Sequence, residues 1–61
     1  MKLWIARDKS GELYLYDIKP EKHEEYFVEP SGYRSISLDD NSFSEITFEN
    51  SPQQVELKLV E

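Results

Sequence analysis

Apolar and polar residues alternate with a period of two along most of the chain, and turn residues interrupt the alternation about every ten positions. The first block is Lys2-Leu-Trp-Ile-Ala-Arg7, followed by Asp8-Lys9-Ser10-Gly11 and then by Glu12-Leu-Tyr-Leu-Tyr-Asp-Ile18. Aspartate at the first turn position and glycine at the fourth suit a type I turn closed by a left-handed glycine, a G1 bulge. That turn predicts a register in which Trp4 faces Tyr16, Ile5 faces Leu15 and Arg7 faces Leu13. Leu3, Ile5, Leu13 and Leu15 then share one face, and Trp4, Ala6, Tyr14, Tyr16 and Ile18 share the other. A two-residue turn would mix the aliphatic and aromatic sets, because a one-residue slip moves every side chain to the opposite face.

The same grammar recurs. Glu24–Glu29 runs into Pro30-Ser31-Gly32 and then Tyr33–Leu38, with proline and glycine again placed for a type I turn and a bulge. This predicts Tyr26 opposite Ile36 and Val28 opposite Arg34, with Tyr26, Val28, Ile36 and Leu38 inside and Phe27, Tyr33, Ser35 and Ser37 outside. Asp39-Asp-Asn-Ser-Phe43 reads as a loop or single turn capped by aspartate side chains. Glu45–Glu49 and Val55–Val60 alternate and predict a third hairpin across Ser51–Gln54, with Phe48 opposite Leu57 and Ile46 opposite Leu59. Lys19-Pro20-Glu21-Lys22-His23 has no apolar periodicity and reads as a loop. The expected fold is all-β: a small antiparallel meander of five to six strands in successive hairpins, forming a curled sheet or an open barrel.

Sixty-one residues make one domain, 1–61, and a chain this short has little room for a deep, water-excluding catalytic cleft. Aromatics at 13% argue for a folded core, and the absence of cysteine excludes a disulfide framework or a thiolate metal site. Charge is uneven. Residues 1–20 carry four bases and three acids, whereas residues 21–61 carry three bases and ten acids, for a net charge of −6. A field of that sign repels phosphates and disfavours direct nucleic-acid binding. There is no signal-peptide apolar region and no stretch of about 20 apolar residues, so a soluble cytoplasmic protein without membrane contact is expected.

The inventory of chemical groups is thin. His23 is the only histidine and sits among Glu21, Lys22, Glu24 and Glu25, a setting for a solvated loop residue rather than a general base. The serines lack a nucleophile-elbow context, and both glycines serve turns. Asp39-Asp40-Asn41 with Glu45 superficially suggests a calcium loop, but neither the sixth-position glycine nor the twelfth-position glutamate is present. No catalytic residue, metal or cofactor is therefore expected.

The stretch Leu3-Trp4-Ile5-Ala6-Arg7-Asp8, with Gly11-Glu12-Leu13-Tyr14-Leu15-Tyr16 and Lys19-Pro20, resembles a group of short bacterial and prophage-associated proteins sharing the pattern W-I-A-R-D-x-x-G-x-L-Y-L-[YF]-x-x-K-P. Their later Phe-x-Glu-[IV]-Thr-[FW]-Glu segment is similar to Phe43–Glu49, with Ser44 standing where that group often has proline. The resemblance implies a shared fold and carries no activity, cofactor or catalytic residue.

What rises above background is an aromatic strip: Trp4, Tyr14 and Tyr16, with Phe27 and Tyr33 adjoining. Tyrosine and tryptophan combine apolar area with a polar tip and are enriched at binding hot spots. The competing reading makes these rings a second core layer. The sequence thus predicts a non-enzymatic module that binds an unidentified protein through this aromatic face or through an edge strand at Val55–Val60. The alternative is an acidic decoy whose carboxylates (Glu21, Glu24, Glu25, Glu29, Asp39, Asp40, Glu45, Glu49) mimic nucleic-acid phosphates on a host or phage protein.

Overall fold

The structure, a computed structural model describing residues 2–30 and 35–58, is built from six short strands and no helix among those residues. They are β1 (Lys2–Arg7), β2 (Leu13–Tyr16), β3 (Glu21–Lys22), β4 (Phe27–Val28), β5 (Ser35–Leu38) and β6 (Gln53–Glu56). Four of them form an open antiparallel sheet in the order β5-β2-β1-β6, and β3 and β4 form a separate two-stranded ribbon. The class is the small antiparallel all-β fold read from the sequence, and the sheet does not close into a barrel.

The first hairpin follows from local chemistry alone. Gly11 donates its N–H to the Asp8 carbonyl (2.9 Å), Asp8 donates to the Glu12 carbonyl (2.8 Å), and Gly11 sits at φ 105°. The resulting register is the predicted one: Trp4 opposite Tyr16, Ile5 opposite Leu15, Arg7 opposite Leu13. A lone hairpin is marginal in water; this one is covered on both faces. Ile5 and Leu13 pack with Ile46 on the aliphatic side, flanked by Leu15, Leu38 and Val55. Ala6 and Tyr16 pack with Phe27 on the aromatic side, flanked by Trp4, Tyr14 and Phe48.

The two later hairpins do not form as predicted. β5 lies beside β2, with Leu38 opposite Leu13, Ile36 opposite Leu15, Ser37 opposite Tyr14 and Ser35 opposite Tyr16. Aliphatic residues thereby meet aliphatic residues on one face, while small serines face the tyrosine rings on the other. Cross-strand pairs of that kind stabilise a sheet. β4 pairs instead with β3, Val28 opposite Glu21 and Phe27 opposite Lys22, so part of the segment read as a loop is a strand. The inward residue of β4 is Phe27, whereas Tyr26 and Val28 are exposed, the reverse of the expected facing. Three contacts set this phase. The Phe27 N–H donates to the Asp8 carboxylate (3.0 Å), the Phe27 ring meets Phe48 edge-on (5.7 Å), and His23 N–H donates to the Tyr26 carbonyl to close the ribbon's turn (2.8 Å). The turn at Glu29–Gly32, together with Tyr33 and Arg34, falls partly or wholly outside the described residues.

Glu45–Glu49 is not a strand, and its pairing with the C-terminal segment is replaced by β6 pairing with β1, Val55 opposite Leu3 and Gln54 opposite Trp4. The reason is visible in where its apolar residues go. In a strand Ile46 and Phe48 would share a face; here Ile46 enters the aliphatic cluster and Phe48 the aromatic one. Two turns rotate the chain between them. Ile46 N–H donates to the Phe43 carbonyl (2.9 Å), and Thr47 and Asn50 cap one another, Thr47 N–H to Asn50 Oδ1 (2.8 Å) and Asn50 N–H to Thr47 Oγ1 (3.2 Å). The segment therefore wraps the end of the hairpin and seals both layers. Leu59 and Val60, part of the expected last strand, lie outside the described residues.

Candidate functional site

The loop 39–46 is held over the aliphatic face chiefly by the Arg7 side chain. Arg7 continues the Leu3–Ile5 row of β1, opposite Leu13, and its guanidinium donates to five backbone carbonyls. Nε reaches Ile46 (2.6 Å), Nη1 reaches Gly11 (2.6 Å) and Asp40 (2.9 Å), and Nη2 reaches Ser42 (2.8 Å) and Phe43 (3.2 Å). All five donors of the fork are thus engaged. The main chain of the same residue is satisfied by buried Ser51, whose hydroxyl accepts the Arg7 N–H (3.0 Å) and donates to the Thr47 carbonyl. Asp39 and Asp40 cap backbone N–H groups as expected: Asp39 Oδ1 accepts from Asn41 (3.0 Å) and Asp40 Oδ1 from Leu13 (3.4 Å).

This clamp fixes Phe43 at φ 51°, a left-handed conformation that costs an aromatic residue about 1–3 kcal/mol. Phe43 is 54% exposed. It stands beside an open groove of about 380 Å³, near the low end of the ~300–1,000 Å³ range of small-ligand sites. Leu3, Leu15, Leu38 and Val55, from four strands, form its floor, and Leu57, itself 59% exposed, stands at its margin. The charged residues in the lining are Glu45 and Glu56, both acids. Glu56 pairs with Lys58 (3.2 Å), whereas the Glu45 carboxylate has no ion-pair partner among the described residues.

The predicted aromatic strip is divided by the fold. Tyr16 is 2% exposed and Phe27 6% exposed; both belong to the second core layer and offer no contact surface. Burial, reinforced by the negative charges of Asp8 and Glu29 and by Tyr14, pushes the Tyr16 hydroxyl far above its ordinary pKa. Trp4 is half-buried with the Lys19 ammonium 5.5 Å from its ring centroid. Tyr14 is half-buried, its hydroxyl donates to Glu12 (3.4 Å), and the Glu12 charge raises its pKa. Lys22 lies 4.5 Å from the Phe48 ring centroid and donates to the Phe48 carbonyl (2.9 Å), closing this side further. Tyr33 lies outside the described residues. Of the two binding routes expected, β6 does occupy a sheet edge, over Gln53–Glu56.

His23 is exposed, stacked on Tyr26 (5.2 Å) and 3.4 Å from Glu21. Among the described residues no three His, Asp or Glu side chains converge as a metal site, and no helix is long and apolar enough to cross a membrane. Sequence reasoning missed Phe43 and Leu57. Its one available signal was that the aliphatic face of the first hairpin holds more leucine than Ile46 alone can cover. Comparison with protein families, with curated proteins and with solved structures finds no match.

Proposed function

We propose that this chain is a non-enzymatic protein-interaction module that takes a peptide segment of a partner protein into the groove on its aliphatic face. The observation that carries this reading is Phe43: a strained backbone, held by Arg7, keeps an apolar ring exposed at the rim of an apolar groove. Strain of this kind persists only where surrounding structure enforces it, and it concentrates at ligand clamps. The aromatic face supports the reading less well, since its two most deeply placed rings are core.

Phe43→Gly tests the proposal, because glycine adopts positive φ without steric strain, which offsets its larger folding entropy cost, while the ring is removed. Peptides selected from a displayed random library on the immobilised chain are expected to lose at least tenfold in affinity for Phe43→Gly, whose melting temperature is equal to or above that of the parent. Undiminished binding by Phe43→Gly, with Trp4 and Tyr14 as the residues that respond, would return the site to the aromatic face. Binding unaffected by Phe43→Gly and lost when Glu21, Glu24, Glu25 and Glu29 are replaced by glutamine would favour the phosphate-mimic reading instead.

A further inference from the structure

Resting on that reading of the groove, we infer the chemistry of its occupant: an extended peptide segment that alternates apolar residues with lysine or arginine. Three observations converge. First, the groove floor is aliphatic and its charged lining consists of Glu45 and Glu56. Second, residues 39–57 carry five acids and no lysine or arginine, and Arg7 beneath them is consumed by five carbonyls; Lys58 neutralises Glu56, which leaves Glu45 as the groove carboxylate without an ion-pair partner among the described residues. The unpaired charge at the groove is therefore the Glu45 carboxylate, on a chain of net charge −6, and complementary charge gives specificity and fast association while like charge is rejected. Third, β6 borders the groove through Val55, and no strand among the described residues pairs with its outer edge. An edge supplies main-chain partners to an extended segment, whose alternate side chains then turn to one face, toward the groove.

A second copy of the chain is the weaker occupant. Each copy brings a net charge of −6, and a stable protein pair buries about 800 Å² per partner, whereas the groove is an opening sized for a few side chains.

The test uses three fluorescent peptides of about ten residues, titrated against the full chain with amide shifts recorded in parallel. One alternates lysine with leucine, one glutamate with leucine, and one lysine with serine. The lysine–leucine peptide is expected to saturate and to shift the amides of Leu3, Leu15, Leu38 and Val55. The glutamate–leucine peptide is expected to bind at least tenfold more weakly, and the lysine–serine peptide not to saturate. Glu45→Lys, at an exposed position, is expected to weaken the lysine–leucine peptide about fivefold. If the glutamate–leucine peptide binds equally well and shifts the same amides, the groove stands and the basic partner is wrong. If no peptide shifts those amides, the groove reading itself fails. Tenfold tighter binding by a chain ending at Lys58 would make residues 59–61 the occupant, and a concentration-dependent dimer in sedimentation would make it a second copy; either result overturns the inference.

Discussion

Replacing Arg7 with lysine keeps the charge and removes the fork. The guanidinium holds Ile46, Gly11, Asp40, Ser42 and Phe43 through their carbonyls, and no carboxylate shares the work. Hydrogen bonds from a charged donor contribute roughly 1.5–3 kcal/mol each when shielded, but they do not add in full. The contacts to Asp40 and Phe43 are exposed, so water replaces them at little cost; those to Ile46, Gly11 and Ser42 are partly buried. An ammonium is a point donor and can recover about one of the three. The expected loss is therefore about 2–3 kcal/mol, against a total stability of roughly 3–9 kcal/mol for a chain of this length. In urea, with a slope of about 1 kcal/mol/M for so small a domain, the midpoint should fall by about 2 M. Trp4 fluorescence reports the transition. Amide exchange should locate the damage: residues 40–46 lose protection while β1 and β2 keep theirs relative to the new global stability. A midpoint shift under 0.5 M for Arg7→Lys would refute the clamp, because it would mean that water satisfies these carbonyls as well as arginine does.

Three further outcomes are expected. Gly11→Val should cost about 1–2 kcal/mol or more through its backbone, since φ is 105° and a Cβ there meets nothing within 4 Å; Ser10→Ala should cost far less, and equal losses in thermal melts would contradict the turn assignment. Ser51→Ala should cost about 1–3 kcal/mol by stranding the Arg7 N–H and the Thr47 carbonyl, and a melting temperature unchanged by the substitution would show that these groups find other partners. The Asp8 carboxyl is raised above 3.8, chiefly by desolvation and opposed by the Phe27 N–H, so the folded chain holds this proton where the unfolded chain has released it. Its contribution to stability is full below 3.8 and is lost as pH rises through the folded value. Asp8→Asn should accordingly gain in melting temperature relative to the parent at pH 7 compared with pH 3.5, and the opposite ordering would reverse the assigned cause.

The first hairpin was legible because everything that specifies it is local. Asp8 and Gly11 set the turn, and the clean separation of Leu3, Ile5, Leu13 and Leu15 from Trp4, Ala6, Tyr14 and Tyr16 admits one register. The later pairings depend on residues far apart in sequence. Nothing near Ser35 and Ser37 announces that their small size is needed opposite Tyr16 and Tyr14, and Pro30 with Gly32 makes a local hairpin with β4 look sufficient. Ile46 and Phe48 misled for a sharper reason: their spacing fits a strand, but the reciprocal Thr47–Asn50 cap turns the chain so that each feeds a different core. The candidate site was missed on the same grounds. Tyr16 and Phe27 look like binding residues until the β3–β4 ribbon covers them, and the left-handed Phe43 carries no sequence signal because the residue is not glycine.

The Arg7 clamp grips only main-chain carbonyls, which every amino acid possesses. The frame of the 40–46 loop is thereby decoupled from most of its side chains: Asn41, Ser44 and Glu45 are exposed, and among the described residues none of their side-chain atoms holds the loop to the sheet. Such a loop can change its vocabulary while keeping its shape, much as an antibody loop diversifies on a constant scaffold. Substitutions at these three positions can retune what the rim of the groove prefers without renegotiating the fold, which makes this the place where related chains are free to diverge and where a designed library would best be written.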